Sequence, residues 1–216
     1  MLFGDFDPVF FLINALILFI ALPIHEFAHA WTANYFGDDT PRLYGRLTLN
    51  PLAHLDPMGS LMMIFVGFGW AKPVPVNPYA LQRRSESAYM WVSLAGPLSN
   101  LLQALFGAVI FRVLWNVPAL RGVELASLLF QFVAQFIWIN LALMVFNLLP
   151  LAPLDGDKVA DYLMPPGWAK AWANIRPYGP FILLMLILLG RLGGFNILGV
   201  LIQTPTTSLF NLLIGQ

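Results

Sequence analysis

The chain has 216 residues, of which 59% are hydrophobic and only 10% charged, with a formal net charge of zero. An ordinary soluble domain carries about 25% charged residues, so a water-soluble fold is excluded, and the neutral balance leaves no basic footprint for nucleic acid. There is no cysteine, which removes disulfides and thiolate metal sites and leaves His, Asp and Glu as the strong metal ligands.

Several apolar stretches exceed the ~20 residues that cross a bilayer. The expected fold is therefore an all-α polytopic membrane bundle, one domain over residues 1–216, with the lipid bilayer as its solvent. The N-terminal MLFGDFDPVFF has two acids and no base ahead of its apolar run. A cleaved signal peptide begins with positive charge, so this segment is expected to open a retained span.

The first span is expected over about 8–36, with Asp7-Pro8 suiting a helix start and Pro23 kinking the helix just before His25. A polar stretch rich in Pro and Gly follows to about Ser87. Within it, residues 61–76 are too short and broken for a helical span, and suggest a β-hairpin or re-entrant element. Further spans are expected over about 88–115, 125–149 and 178–203, which makes about four, followed by a C-terminal interfacial helix.

Bases concentrate in the two long connections. Arg42, Arg46, Lys72, Arg83, Arg84, Lys158, Lys170 and Arg176 all lie in 37–87 or 151–177. The positive-inside rule puts both connections in the cytoplasm and the N-terminus outside. His25 lies 17 residues past Pro8, about 25 Å along a helix. Against a hydrocarbon core ~30 Å thick, that places it toward the cytoplasmic side.

The strongest chemical signal is His25-Glu26-Phe27-Ala28-His29. Residues four apart share a helix face, so both imidazoles reach one ion, and Glu26 is adjacent as a general base. Three ionisable groups within five positions of an apolar helix are expensive in lipid and mark function. A catalytic zinc usually takes three protein ligands, and Asp155, Asp157, Asp56 and His54 are candidates for the third. Asp155 follows a span directly, where Pro150 and Pro153 break the helix and Gly156 permits close backbone approach.

The pair H-E-F-A-H and N-L-L-P-L-A-P-L-D-G resembles the site-2 protease family of intramembrane zinc metalloproteases. So do the segments Gly45–Pro57, W-A-K-P-V-P-V-N-P (70–78) and A-G-P-L-S-N (95–100). The likeness is to small bacterial and archaeal members without PDZ or CBS domains, and it covers roughly residues 20–160. It implies one Zn2+ per chain on His25, His29 and Asp155, with Glu26 as catalytic base. It also implies hydrolysis, by zinc-activated water, of peptide bonds within or beside transmembrane segments of membrane protein substrates. A multi-pass location in a bacterial or archaeal cell membrane follows from the same likeness.

Carried over from the family, Asn147 would bind substrate or stabilise the tetrahedral intermediate. Asn140 is seven residues away on the same helix face, and reads equally as a second such group or as interhelical glue. Asn100 reads as packing between spans. His54, between two prolines, reads first as a structural histidine and second as a gate or substitute ligand. A metal transporter would spread its ligands along a path rather than cluster them at one depth. An aspartyl mechanism lacks a second Asp inside the first three spans, and no G-x-S-x-G supports a serine one.

Overall fold

The computed structural model describes residues 7–59, 70–120, 123–191 and 196–215. Five helical stretches among these are long and apolar enough to cross a membrane: Pro8–Tyr35, Ala88–Trp115, Glu124–Asn147, Ile197–Ile214, and Pro166–Gly190, in which a 3-10 turn at Arg176–Tyr178 joins two α-helices. The protein is an all-α, polytopic integral membrane protein. In chain order the helices are α1 (Pro8–Tyr35), α2 (Thr40–Leu43), α3 (Pro51–His54), α4 (Pro78–Arg84) and α5 (Ala88–Trp115). They continue with α6 (Glu124–Asn147), α7 (Asp155–Leu163), α8 (Pro166–Ile175), α9 (Gly179–Arg191) and α10 (Ile197–Ile214).

Helix starts follow local chemistry. Asp7 accepts from the backbone N–H groups of Val9 and Phe10, and Pro8 occupies the first turn, where its missing N–H costs nothing. Asn77 caps α4 in the same way, and Asn196 caps α10. α1 continues through Pro23 as one helix to Tyr35. The expected span 178–203 is divided, because α9 ends at Arg191 and a separate helix begins at Ile197. That helix has the length and apolarity of a fifth span, where an interfacial helix was expected.

The bundle centres on α5, which packs against α6 and α1. Ala104 and Ala108 of α5 meet Val133, Ile137, Leu141 and Met144 of α6 in a buried cluster. A Cβ on Gly107 would press on Ile137 and Phe136, so small residues set how closely the two backbones approach. Polar ties fix the register. Gln135 donates to Asn14 across α1 and α6 at 3.0 Å, and Arg112 of α5 donates to the last carbonyls of α10.

The connection between α1 and α5 folds over one end of this bundle. Asp38 is buried and accepts from the backbone of Thr40 and Asn77. The Arg46 guanidinium is also buried, and it donates to the carbonyls of Ala53, Lys72 and Pro73. Ala71 makes an isolated antiparallel bridge with Leu55. Residues 61–69 of the expected hairpin lie outside the described residues; from Lys72 to Val76 the chain has no regular secondary structure.

Candidate metal centre

His25 and His29 lie on one face of α1, both buried. Asp155 is the first residue of α7, after a turn that starts where α6 ends at Asn147. Gly156 makes that turn possible, since a Cβ there would overlap the carbonyls of Leu148 and Leu149. The turn carries the aspartate back under α1, and the three side chains form the metal-competent group found among the described residues.

The geometry is compact. Nε2 of His25 and Nε2 of His29 are 3.0 Å apart, and each is 3.3 Å from Asp155 Oδ2. A tetrahedral zinc with bonds of about 2.0–2.1 Å separates its ligand atoms by roughly 3.3–3.4 Å. The other ring nitrogens are occupied: Nδ1 of His29 donates to the Val92 carbonyl at 2.7 Å, and Nδ1 of His25 faces Asn100 Oδ1 at 2.6 Å. With a proton on each Nδ1 alone, the rings would aim lone pairs at the same point as a carboxylate oxygen that has no hydrogen-bond donor of its own. Three such atoms repel one another unless a cation sits between them, so the donor set fits a metal ion.

Gly96 of α5 closes the back of the group. A Cβ at this position would overlap the Nε2 atoms of both histidines, so the wall must be bare backbone. Gly96→Ala should therefore displace the imidazoles. The expected result is zinc well below one per chain by elemental analysis, with a loss of about 1–3 kcal/mol in stability from overpacking. Full zinc occupancy in Gly96→Ala would refute this account of the wall.

In front of the group is a cavity of about 390 Å³, lined by Glu26, Asn147, Trp70, Pro73, Val74 and Phe146 among others. Glu26 thus opens onto the same space as the three candidate ligands, and Asn147 lines it too, with its amide donating to Leu143 at 3.0 Å. The Arg46 bonds to Lys72 and Pro73 hold the outer wall of this cavity against α3.

The remaining sequence candidates lie apart from the group. His54 is buried in α3 with Nε2 donating to the Thr48 carbonyl at 2.8 Å. It does not line the cavity. Asp56 accepts from Gly59 in a turn. Asp157 is buried against Lys158 Nζ at 2.6 Å and Arg176 Nε at 2.8 Å. Asn140 faces Asn100, not the cavity. Asn100 has a second contact beyond the packing between spans that the sequence suggests. It does tie spans together, α5 to α6 through Asn140, but its oxygen also meets the candidate ligand His25; no local signal on α5 announces that partner 75 positions away.

A buried two-histidine, one-carboxylate group with an adjacent glutamate, among apolar helices, is the architecture of a membrane metalloenzyme. Over 178 residues the chain is 40% identical to a Bacillus subtilis protein named "Putative zinc metalloprotease YwhC", a match covering 82% of this chain and 80% of that relative. It is 32% identical over 175 residues to "Putative zinc metalloprotease Rip2" of Mycolicibacterium smegmatis, covering 78% of this chain and 64% of the relative. The Rip2 of Mycobacterium tuberculosis strain H37Rv is 31% identical over 182 residues, 82% of this chain and 66% of its own length. No family model matches the chain. No solved structure matches it either. The chain belongs to the site-2 protease family of zinc metalloproteases, and its cofactor is Zn2+.

Proposed function

We propose that this metalloprotease cuts membrane proteins within or beside their transmembrane segments, with His25, His29 and Asp155 holding the zinc and Glu26 serving as general base. The observation that carries the reading is the meeting of these four residues at a cavity walled by apolar helices. A soluble protease has no reason to bury its ligands in helices that long and apolar.

Zinc, when bound, lowers the pKa of water toward ~7 and polarises the scissile carbonyl. The chain's own residues do the rest. Glu26 takes a proton from the attacking water as its oxygen joins the carbonyl carbon. The amide of Asn147 turns toward the oxygen that gains charge. Glu26 then gives its proton to the departing amine as the C–N bond breaks, which leaves a carboxylic acid and an amine with every proton accounted for. The wall from Trp70 to Val76 limits what enters, so a substrate helix must offer an extended segment.

Residues 1–216 act as a single catalytic domain in this reading, located in a bacterial or archaeal cell membrane. The basic connections 37–87 and 151–177 face the cytoplasm, the N-terminus lies outside, and the cavity opens to the cytoplasmic side.

The test is a reconstitution of the purified chain with a panel of model transmembrane substrates. Cleavage products mapped by mass spectrometry should end in or beside the apolar segment, and a zinc chelator should abolish them. In the same vesicles, a cysteine placed at Ala152 should react with an impermeant thiol reagent only from the cytoplasmic face. Cleavage confined to soluble peptides, or unaffected by the chelator, would sink the intramembrane reading. Labelling from outside alone would overturn the orientation.

A further inference from the structure

Behind His25 a line of amides runs away from the cavity. Asn100 and Asn140 are both fully buried. Asn100 Nδ2 donates to Asn140 Oδ1 at 2.9 Å, and Asn140 Nδ2 donates to the Phe136 backbone carbonyl at 2.9 Å. The far end is unambiguous, because a backbone carbonyl can only accept. Turning the Asn140 amide around would set its oxygen against the Phe136 oxygen. Asn140 must therefore present Oδ1 to Asn100, Asn100 must answer with its NH2, and the oxygen left over is the one 2.6 Å from His25 Nδ1. That oxygen accepts, so Nδ1 of His25 carries the proton and Nε2 keeps its lone pair for the metal.

We infer that Asn100 and Asn140 are positioning residues: a directed hydrogen-bond relay, anchored on the Phe136 carbonyl, that sets the tautomer and the plane of the His25 ring toward zinc. The inference rests on the proposed reading of His25 as a ligand. The relay uses neutral amides where many metal sites use a carboxylate behind the histidine. That choice suits the place. Asp155 and Glu26 already balance a divalent cation, and a further buried charge at membrane depth would be uncompensated. His29 needs no relay, because Val92 offers it a backbone carbonyl directly.

The relay predicts which change hurts. Asn100→Leu keeps the shape and removes the acceptor, whereas Asn100→Asp keeps an acceptor toward His25. Zinc affinity, measured on the purified full-length chain by competition with a chromophoric chelator, should fall about 10–100-fold in Asn100→Leu and by clearly less in Asn100→Asp, which loses the donor to Asn140 and adds a buried charge but keeps the acceptor toward His25. Asn140→Leu, which frees the Asn100 amide to turn, should lose affinity in the same direction but by less.

Equal losses in Asn100→Leu and Asn100→Asp would mean that packing, not the acceptor, matters, and would overturn the relay. Wild-type affinity in Asn100→Leu would overturn it too, and wild-type affinity in Asn140→Leu would remove Asn140 from it. His25→Ala in the same titration separates this inference from the reading beneath it. If His25→Ala keeps full zinc affinity, the ligand assignment fails; if it loses zinc while Asn100→Leu does not, only the relay fails. Should Asn100→Leu not fold, 15N-histidine NMR of the zinc-loaded wild type decides. His25 should be protonated at Nδ1 and metal-bound at Nε2, and the opposite pattern overturns the inference.

Discussion

Glu26→Gln should abolish proteolysis while leaving zinc in place. The carboxylate is adjacent in sequence to one candidate ligand, three residues before the other, and opens onto the same cavity. It is not among the three atoms that converge on the metal point. The amide of glutamine fills the same volume, so neither the His25–His29–Asp155 group nor the wall has cause to move. What disappears is the ability to accept a proton from water and return it to the leaving amine. Losing a general base costs ~10²–10⁴-fold in rate, and more where the same group also delivers the proton. The measurement is turnover of a transmembrane substrate beside zinc content by elemental analysis. Near-normal turnover would remove Glu26 from the chemistry.

Asp155→Ala should take zinc and activity away together, whereas Asp157→Asn should keep the zinc and lower the stability. These two carboxylates sit two positions apart on α7 but belong to different structures. Asp155 Oδ2 stands 3.3 Å from both Nε2 atoms, and without it only two ligands remain for an ion that usually takes three from protein. Asp157 instead neutralises Lys158 and Arg176, with Arg176 also reaching Asp161 at 2.9 Å. Removing the buried member of such a group strands its partners. Because those partners are partly exposed, the cost should fall near or below the ~3–5 kcal/mol of a fully buried pair. Zinc stoichiometry and thermal unfolding, read on both variants, separate the roles. Unchanged zinc in Asp155→Ala with loss in Asp157→Asn would mean that the third ligand has been misassigned.

Much of this was legible in the residue order. The i, i+4 spacing of His25 and His29 needs only an α-helix to bring both rings to one side, and the prolines ahead of Asp155 mark a turn that any membrane helix would take there. Three of the long helices have ends within about two residues of those expected, since a hydrophobic run in lipid has few other options. The rest was not legible, for a physical reason. These helices are apolar on every side, so no polar stripe tells which face meets a neighbour. Asn100 and Asn140 could only be paired once the crossing of α5 and α6 was known. His54 and Asp56 have the right side chains for a ligand but lie on the outer connection, and only its folding separates them from the site. The tetrad R-L-G-G from Arg191 on reads equally as a bend within one span or as a boundary between two.

The bare backbone at Gly96 bears on how the ion comes and goes. With α5 pressed against both imidazoles and each Nδ1 held from behind, neither ring has much room to swing aside when the metal leaves. If His25, His29 and Asp155 hold the zinc, loading it would require dehydration of the cation but little movement of these side chains. Such stiffness also discriminates. Mg2+ demands near-octahedral oxygen coordination and gives up its water reluctantly, and a slot shaped by two nitrogens, one carboxylate and a glycine wall offers it neither the ligands nor the space. A residue with no side chain at all thus sets how much room the two imidazoles have.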